Sequence, residues 1–198
     1  MFAKVNVVKA TLLASAAVVS FSCLNAQAAP DGTINFQGQV LTNTCVVAAN
    51  NATAPSGAAP AANTVVLPVV SSSVFSGANS TAGVTPFKIS LTACNALLNG
   101  KRALAFFEKN GTNNDNVVNT AATTPATGVA LQLLNGPGGS PILLGNTAQL
   151  QQNNSAPIAS VGGAYAADLN YAVQYIATAA TVGAGAVTGS VTYTINYQ

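Results

Sequence analysis

The sequence has 198 residues, of which 49% are hydrophobic and only 5% charged, with 6 basic and 4 acidic side chains and no histidine. That length suits one domain rather than two. The combination of high hydrophobicity and low charge excludes a disordered chain, and beyond the N-terminus no apolar run is long enough to span a bilayer as a helix.

The first element reads as an export signal. Lys4 and Lys9 form a basic start, Ala10 to Phe21 is an apolar run too short to cross a membrane, and Ala26-Gln27-Ala28 has the small-x-small form of a cleavage site. Cleavage is expected after Ala28, because a cut after Ala29 would leave Pro30 at the new terminus. A lipoprotein reading at Cys23 fails, since Ser20-Phe21-Ser22 lacks the usual aliphatic residue three positions upstream. The remaining chain would carry Lys88, Lys101, Arg102 and Lys109 against Asp31, Glu108, Asp115 and Asp168, four minus four, a net charge of zero. Such a surface offers no electrostatic footprint for nucleic acid.

Removal of residues 1–28 takes Cys23 with it and leaves Cys45 and Cys94. In an exported protein such a pair forms a disulfide. Closing this loop of about 50 residues stabilises the fold by roughly 4 kcal/mol in the chain-entropy treatment. The rival reading, a metal site, lacks ligands, because there is no histidine and no second cysteine pair.

Strand signals follow in chain order. Thr33 to Leu41 alternates apolar and polar residues, with Ile34, Phe36 and Val40 on one face and Gly38 between them. The Ala-, Pro- and Asn-rich stretch Asn50 to Asn63 reads as a loop. Strands are expected at Thr64 to Val70, where Pro68 marks an edge or bulge, at Phe87 to Leu91 leading into Cys94, and at Ala103 to Glu108. Val117 to Thr127 reads as loop, Gly128 to Leu134 as strand, and Gly136-Pro137-Gly138-Gly139 as a turn before Pro141 to Leu144. Two alternating runs close the chain. Leu169 to Ile176 puts Leu169, Tyr171, Val173 and Tyr175 on one face, and Val187 to Tyr197 does the same for Val187, Gly189, Val191, Tyr193, Ile195 and Tyr197. The expected fold is all-β, a sandwich or barrel of short strands.

Nothing in this pattern supports catalysis. The acids are scattered, with Asp115 and Asp168 placed as turn formers, and no nucleophile elbow, phosphate loop or metal spacing occurs. The chain is expected to be no enzyme and to need no cofactor. The one-sided apolar stripes at both ends need a sheet face to bury against. For residues 33–41 that face could lie in the same chain, with Gly38 a bulge, or in another.

The chain resembles the chaperone–usher pilins of the type 1 fimbrial family across the region after the signal. The resemblance is carried by Gly32-x-Ile34-x-Phe36-x-Gly38-x-Val40 leading to Cys45, by Phe87-x-Ile89-x-Leu91-x-x-Cys94, by Gly128 to Leu134, and by the segment Leu169 to Thr178. The C-terminal run adds Tyr197 in the penultimate position and Gly185 fourteenth from the end. This likeness implies an incomplete immunoglobulin-like β-sandwich lacking its last strand. A signal at 1–28, a donor extension at 29–41 and a pilin body at 42–198 would follow. Ile34, Phe36, Gly38 and Val40 would enter a neighbour's groove, while Gly185, Val191, Tyr193, Ile195 and Tyr197 would border the chain's own groove and dock a periplasmic chaperone. Implied partners are copies of itself or sibling pilins, that chaperone, an outer-membrane usher and a host-cell surface. The implied route runs through the periplasm to a surface fimbrium, as the major shaft subunit or, alternatively, as a minor adaptor or tip-associated subunit.

Overall fold

The computed structural model describes residues 44–50, 63–109, 115–151 and 155–198. The signal at 1–28, the donor extension at 29–41 with Ile34, Phe36, Gly38 and Val40, and loop residues 51–62 lie outside them. The described chain forms nine strands: β1 (Val46–Asn50), β2 (Thr81–Cys94), β3 (Arg102–Phe107), β4 (Val117–Val118), β5 (Val129–Leu134), β6 (Ala156–Pro157), β7 (Ala159–Val161), β8 (Ala164–Ala177) and β9 (Tyr193–Tyr197). The only helical turns among these residues are short 3-10 segments.

Two antiparallel sheets result. The larger runs β1-β2-β8-β5-β4, with β7 folded back on the start of β8, and the smaller runs β6-β3-β9. Alternation explains which side of each strand is buried. On β2, Phe87, Ile89 and Leu91 point inward, and on β8 their neighbours Leu169, Tyr171 and Val173 do the same. From the small sheet Ala103, Ala105 and Phe107 meet them in one core. Phe107 and Tyr171 stand edge to face across the sheets with ring centroids 5.0 Å apart. Each such large side chain taken from water contributes on the order of 1.5–3 kcal/mol. The architecture is all-β, as the alternation predicted, and it is the immunoglobulin-like sandwich that the resemblance implied.

The disulfide joins Cys45 to Cys94, tying the entry of β1 to the end of β2. Beside it β2 bulges between Leu91 and Cys94, where Ala93 adopts φ 46°.

Several boundaries differ from expectation. Thr64 to Val70 joins no ladder among the described residues. It is anchored by side chains instead: Val65 and Leu67 pack on the core and the Pro68 carbonyl accepts a hydrogen bond from the Tyr175 hydroxyl. Proline has no N–H to donate to a ladder. The region Val117 to Thr127, expected as loop, contains β4 and isolated bridges at Pro125 and Thr127. In the last run only Tyr193–Tyr197 is strand, while β8 begins five residues earlier than expected, at Ala164.

Candidate functional site

The site grows from the edge of the small sheet. β9 pairs with β3, Ala103 opposite Tyr197 through Phe107 opposite Tyr193, and with no described strand on its other side. Tyr193, Ile195 and Tyr197 are half-buried there and pack on the core. Val65 and Leu67, from the stretch Thr64 to Val70, line one cavity with Val191 and Tyr193.

Two cavities lie between the stretch 63–75 and the run 182–193 that leads into β9. A smaller one, about 240 Å³, has Val65 and Leu67 on one flank, Val191 and Tyr193 on the other, and Ile89, Phe107 and Leu131 beneath. A larger one, about 470 Å³, has Val69, Val70 and Phe75 on one flank and Gly185 and Val187 on the other, with Val129 and Tyr175 beneath. The same two chain segments flank both cavities in turn, so together they trace a groove with an apolar floor. Burial raises the Tyr175 and Tyr193 phenols above their ordinary value of 10.0, so both stay neutral and wall the groove without charge.

The flank from Val182 to Ser190 is shaped by close approach. A Cβ on Gly189 would sit 2.7 Å from Val117 Cγ1, and one on Gly185 would sit 2.4 Å from the Ala126 nitrogen. Only glycine lets the chain lie that near. Asn119 then binds it in place. Its Nδ2 donates to the carbonyls of Ala126 and Ala186 at 3.0 Å each, and its Oδ1 accepts from Ala121 N–H at 3.1 Å and Thr188 N–H at 3.0 Å. All four hydrogen-bonding positions of the amide are used.

Of the residues singled out in sequence, Gly185 lines the larger cavity and Val191 and Tyr193 line the smaller, while Ile195 and Tyr197 follow on β9, pack on the core and line neither. Asn119 was missed, because an asparagine in a turn-rich stretch carries no sign of a partner more than sixty residues away. Val65, Leu67 and Tyr175 were read as strand residues only. Chemically the site can pair backbone and bury apolar side chains. Among the described residues no three metal-ligating side chains cluster, and the Lys88–Asp168 ion pair, 2.9 Å apart, is exposed.

The family profile described as "Type-1 fimbrial protein, A" matches residues 67–198, which include the whole lining of the larger cavity and all of β9. The chain belongs to the type-1 fimbrial protein family. It is 39% identical over 173 residues to the major fimbrial subunit SMF-1 of Stenotrophomonas maltophilia, covering 86% of this chain and 94% of that one. It is 35% identical over 187 residues to the F17 fimbrial protein of Escherichia coli, covering 91% and 95% respectively. A solved type I fimbria protein of Burkholderia pseudomallei is 26% identical and covers 76% of this chain and 94% of its own, with a TM-score of 0.46. Members of the type-1 fimbrial protein family are structural subunits that polymerise into surface fibres, and no described helix here is long and apolar enough to cross a membrane.

Proposed function

We propose that this chain is the major shaft subunit of a chaperone–usher fimbria and polymerises by donor-strand exchange. The reading assigns residues 1–28 to a removed export signal, 29–41 to a donor strand and 42–198 to the body. A neighbour's Ile34, Phe36 and Val40 enter the groove, with Gly38 where the approach is too close for a side chain. A periplasmic chaperone holds the groove first, an outer-membrane usher orders the exchange, and the finished fibre serves adhesion to a host surface.

The observation that carries this reading is the edge of β9 that no described strand pairs, beside a groove floored by the protein's own core. Unpaired edges next to exposed apolar surface invite pairing. An added strand supplies backbone hydrogen bonds along the edge and alternate side chains for the cavities. Burial of each donated apolar side chain would contribute roughly 1.5–3 kcal/mol before the cost of ordering the segment. The 39% identity to a protein named as a major fimbrial subunit supports the shaft assignment.

The test compares three forms: the body without residues 29–41, the same body with 29–41 moved behind Gln198 on a short flexible linker, and that form with Ile34 and Phe36 changed to Asp. Tethering raises the strand's effective concentration to roughly millimolar or above. The tethered form should be a monomer that melts far above the other two by circular dichroism. Equal stability of the deleted and tethered bodies would show a sandwich that was already complete.

A further inference from the structure

The small sheet has two edges, and they are finished differently. Along β3 the backbone groups of Arg102 and Glu108 turn toward β9 and its approach, with Arg102 N–H donating to the Gln198 carbonyl at 2.9 Å and Glu108 N–H to the Thr192 carbonyl at 2.8 Å. The alternate residues face the other way. There β6 reaches only Arg102 and Ala103, so Ala105 and Phe107 lie beyond it.

Side chains take over at that point. The Tyr171 hydroxyl accepts from Ala105 N–H at 3.0 Å. The Gln149 amide accepts from Phe107 N–H at 2.9 Å and donates back to the Phe107 carbonyl at 3.0 Å. One donor and one acceptor returned to the same residue reproduce the reciprocal pair of an antiparallel ladder. Gly145 N–H also donates to the Phe107 carbonyl at 2.9 Å, and a Cβ on Gly145 would lie 2.7 Å from Lys109 Cβ, so only glycine brings that loop close enough. Gln149 and Tyr171 are 5% and 2% exposed, which removes both positions from competition with water.

We propose that Gln149 and Tyr171 form a side-chain cap that closes the far edge of β3 to strand addition, so that the small sheet takes an incoming strand at β9. This inference rests on the strand-uptake reading above. A subunit that accepts strands gains linear growth only if a single edge is available, because a second edge leads to branching or lateral pairing. A covering strand would close this edge only by leaving its own outer edge open. An amide and a hydroxyl end the sheet.

The test uses fibres of the full chain and a fluorescent peptide of residues 29–41. Wild-type fibres, with β9 filled, should bind peptide only at their ends. Gln149→Leu should speed hydrogen exchange at the Phe107 amide at least tenfold, bind at least tenfold more peptide along the fibre, and bundle laterally by electron microscopy. Tyr171→Phe removes only the hydroxyl over Ala105. It provides a second variant should Gln149→Leu not assemble, with faster exchange at the Ala105 amide and a rise in side-bound peptide. An exposed Phe107 or Ala105 amide with peptide binding still at the wild-type level would overturn the cap. Wild-type fibres that bind about one peptide per subunit would instead overturn the donated-strand reading of β9. The cap would then be judged by whether Gln149→Leu raises that number to two.

Discussion

The Tyr175 hydroxyl donates a hydrogen bond to the Pro68 carbonyl at 3.1 Å, joining residues 107 positions apart. This bond pins one flank of the groove to β8, in a stretch that has no ladder of its own. Tyr175→Phe should cost about 1 kcal/mol in denaturant unfolding, the ordinary net worth of one such bond. Hydrogen exchange should quicken across residues 64–71 and stay unchanged in β2 and β8. Unchanged exchange across that stretch would mean that Val65 and Leu67 hold it without help.

Asn119 plays the matching part on the opposite flank. Asn119→Ala should destabilise the protein by roughly 2 kcal/mol, since four partners lose a hydrogen bond and some regain water. Asn119→Asp tests the geometry more sharply. It keeps the acceptor for Thr188 and Ala121 but sets a second oxygen against the carbonyls of Ala126 and Ala186, so it should be no better than Ala.

Phe36→Asp should separate folding from assembly. In the proposed donor strand a charge there would have to enter an apolar groove unpaired or stay undocked. Chaperone complexes of the variant are expected to accumulate at wild-type levels while fibres vanish from the cell surface by electron microscopy. Equal loss of both species would place Phe36 in the protein's own core.

Replacing Cys45 and Cys94 together by alanine should lower stability by about 4 kcal/mol, as expected for opening a covalent loop of this size. Intact mass before and after reduction should differ by two hydrogens. A variant as stable as the parent would show that pairing of β1 with β2 alone fixes the N-terminal side of the body.

Asp168 gives the pH dependence. Hydrogen bonds from Lys88, the larger influence, and from Ser90 hold its carboxyl below the ordinary 3.8. A lowered value means that the folded state favours the ionised form. Its contribution is therefore present above the unfolded value and disappears as pH falls through the folded one. The two side chains are 40% and 50% exposed, so solvent screens the pair. Asp168→Asn should cost roughly 0.5 kcal/mol at neutral pH, and the difference should fade in acid and in about 1 M salt.

The strands buried on one side were readable from sequence because burial imposes a period of two. Phe87, Ile89 and Leu91 on β2 and Leu169, Tyr171 and Val173 on β8 show it plainly. The Cys45–Cys94 bond was readable because no other pairing or ligand set was available. The one-sided packing of Tyr193, Ile195 and Tyr197 on β9 was visible for the same reason as the core. What could not be read depends on partners distant in sequence. Val65 and Leu67 look like strand residues, and only the fold shows that their stretch joins no ladder among the described residues. Gln149 sits in a polar turn, and its bonds to Phe107 bridge 42 positions. Neither composition nor period marks an amide that substitutes for a strand.

The disulfide also decides where tension enters the body. The chain reaches β1 through Thr44 and Cys45, and β1 meets β2 in rungs that begin with Val46 opposite Thr92. Without a crosslink, a pull on residue 44 would unzip those rungs singly, which is the weakest way to load a sheet. Because Cys45 is bonded to Cys94 ahead of the first rung, the force passes into the end of β2 and leaves β1 slack. It is then borne by the long ladder between β2 and β8, which runs from Thr81 to Cys94. Tension arriving at residue 44 therefore loads β2 and its long ladder to β8, and the strand nearest the point of attachment carries almost none of it.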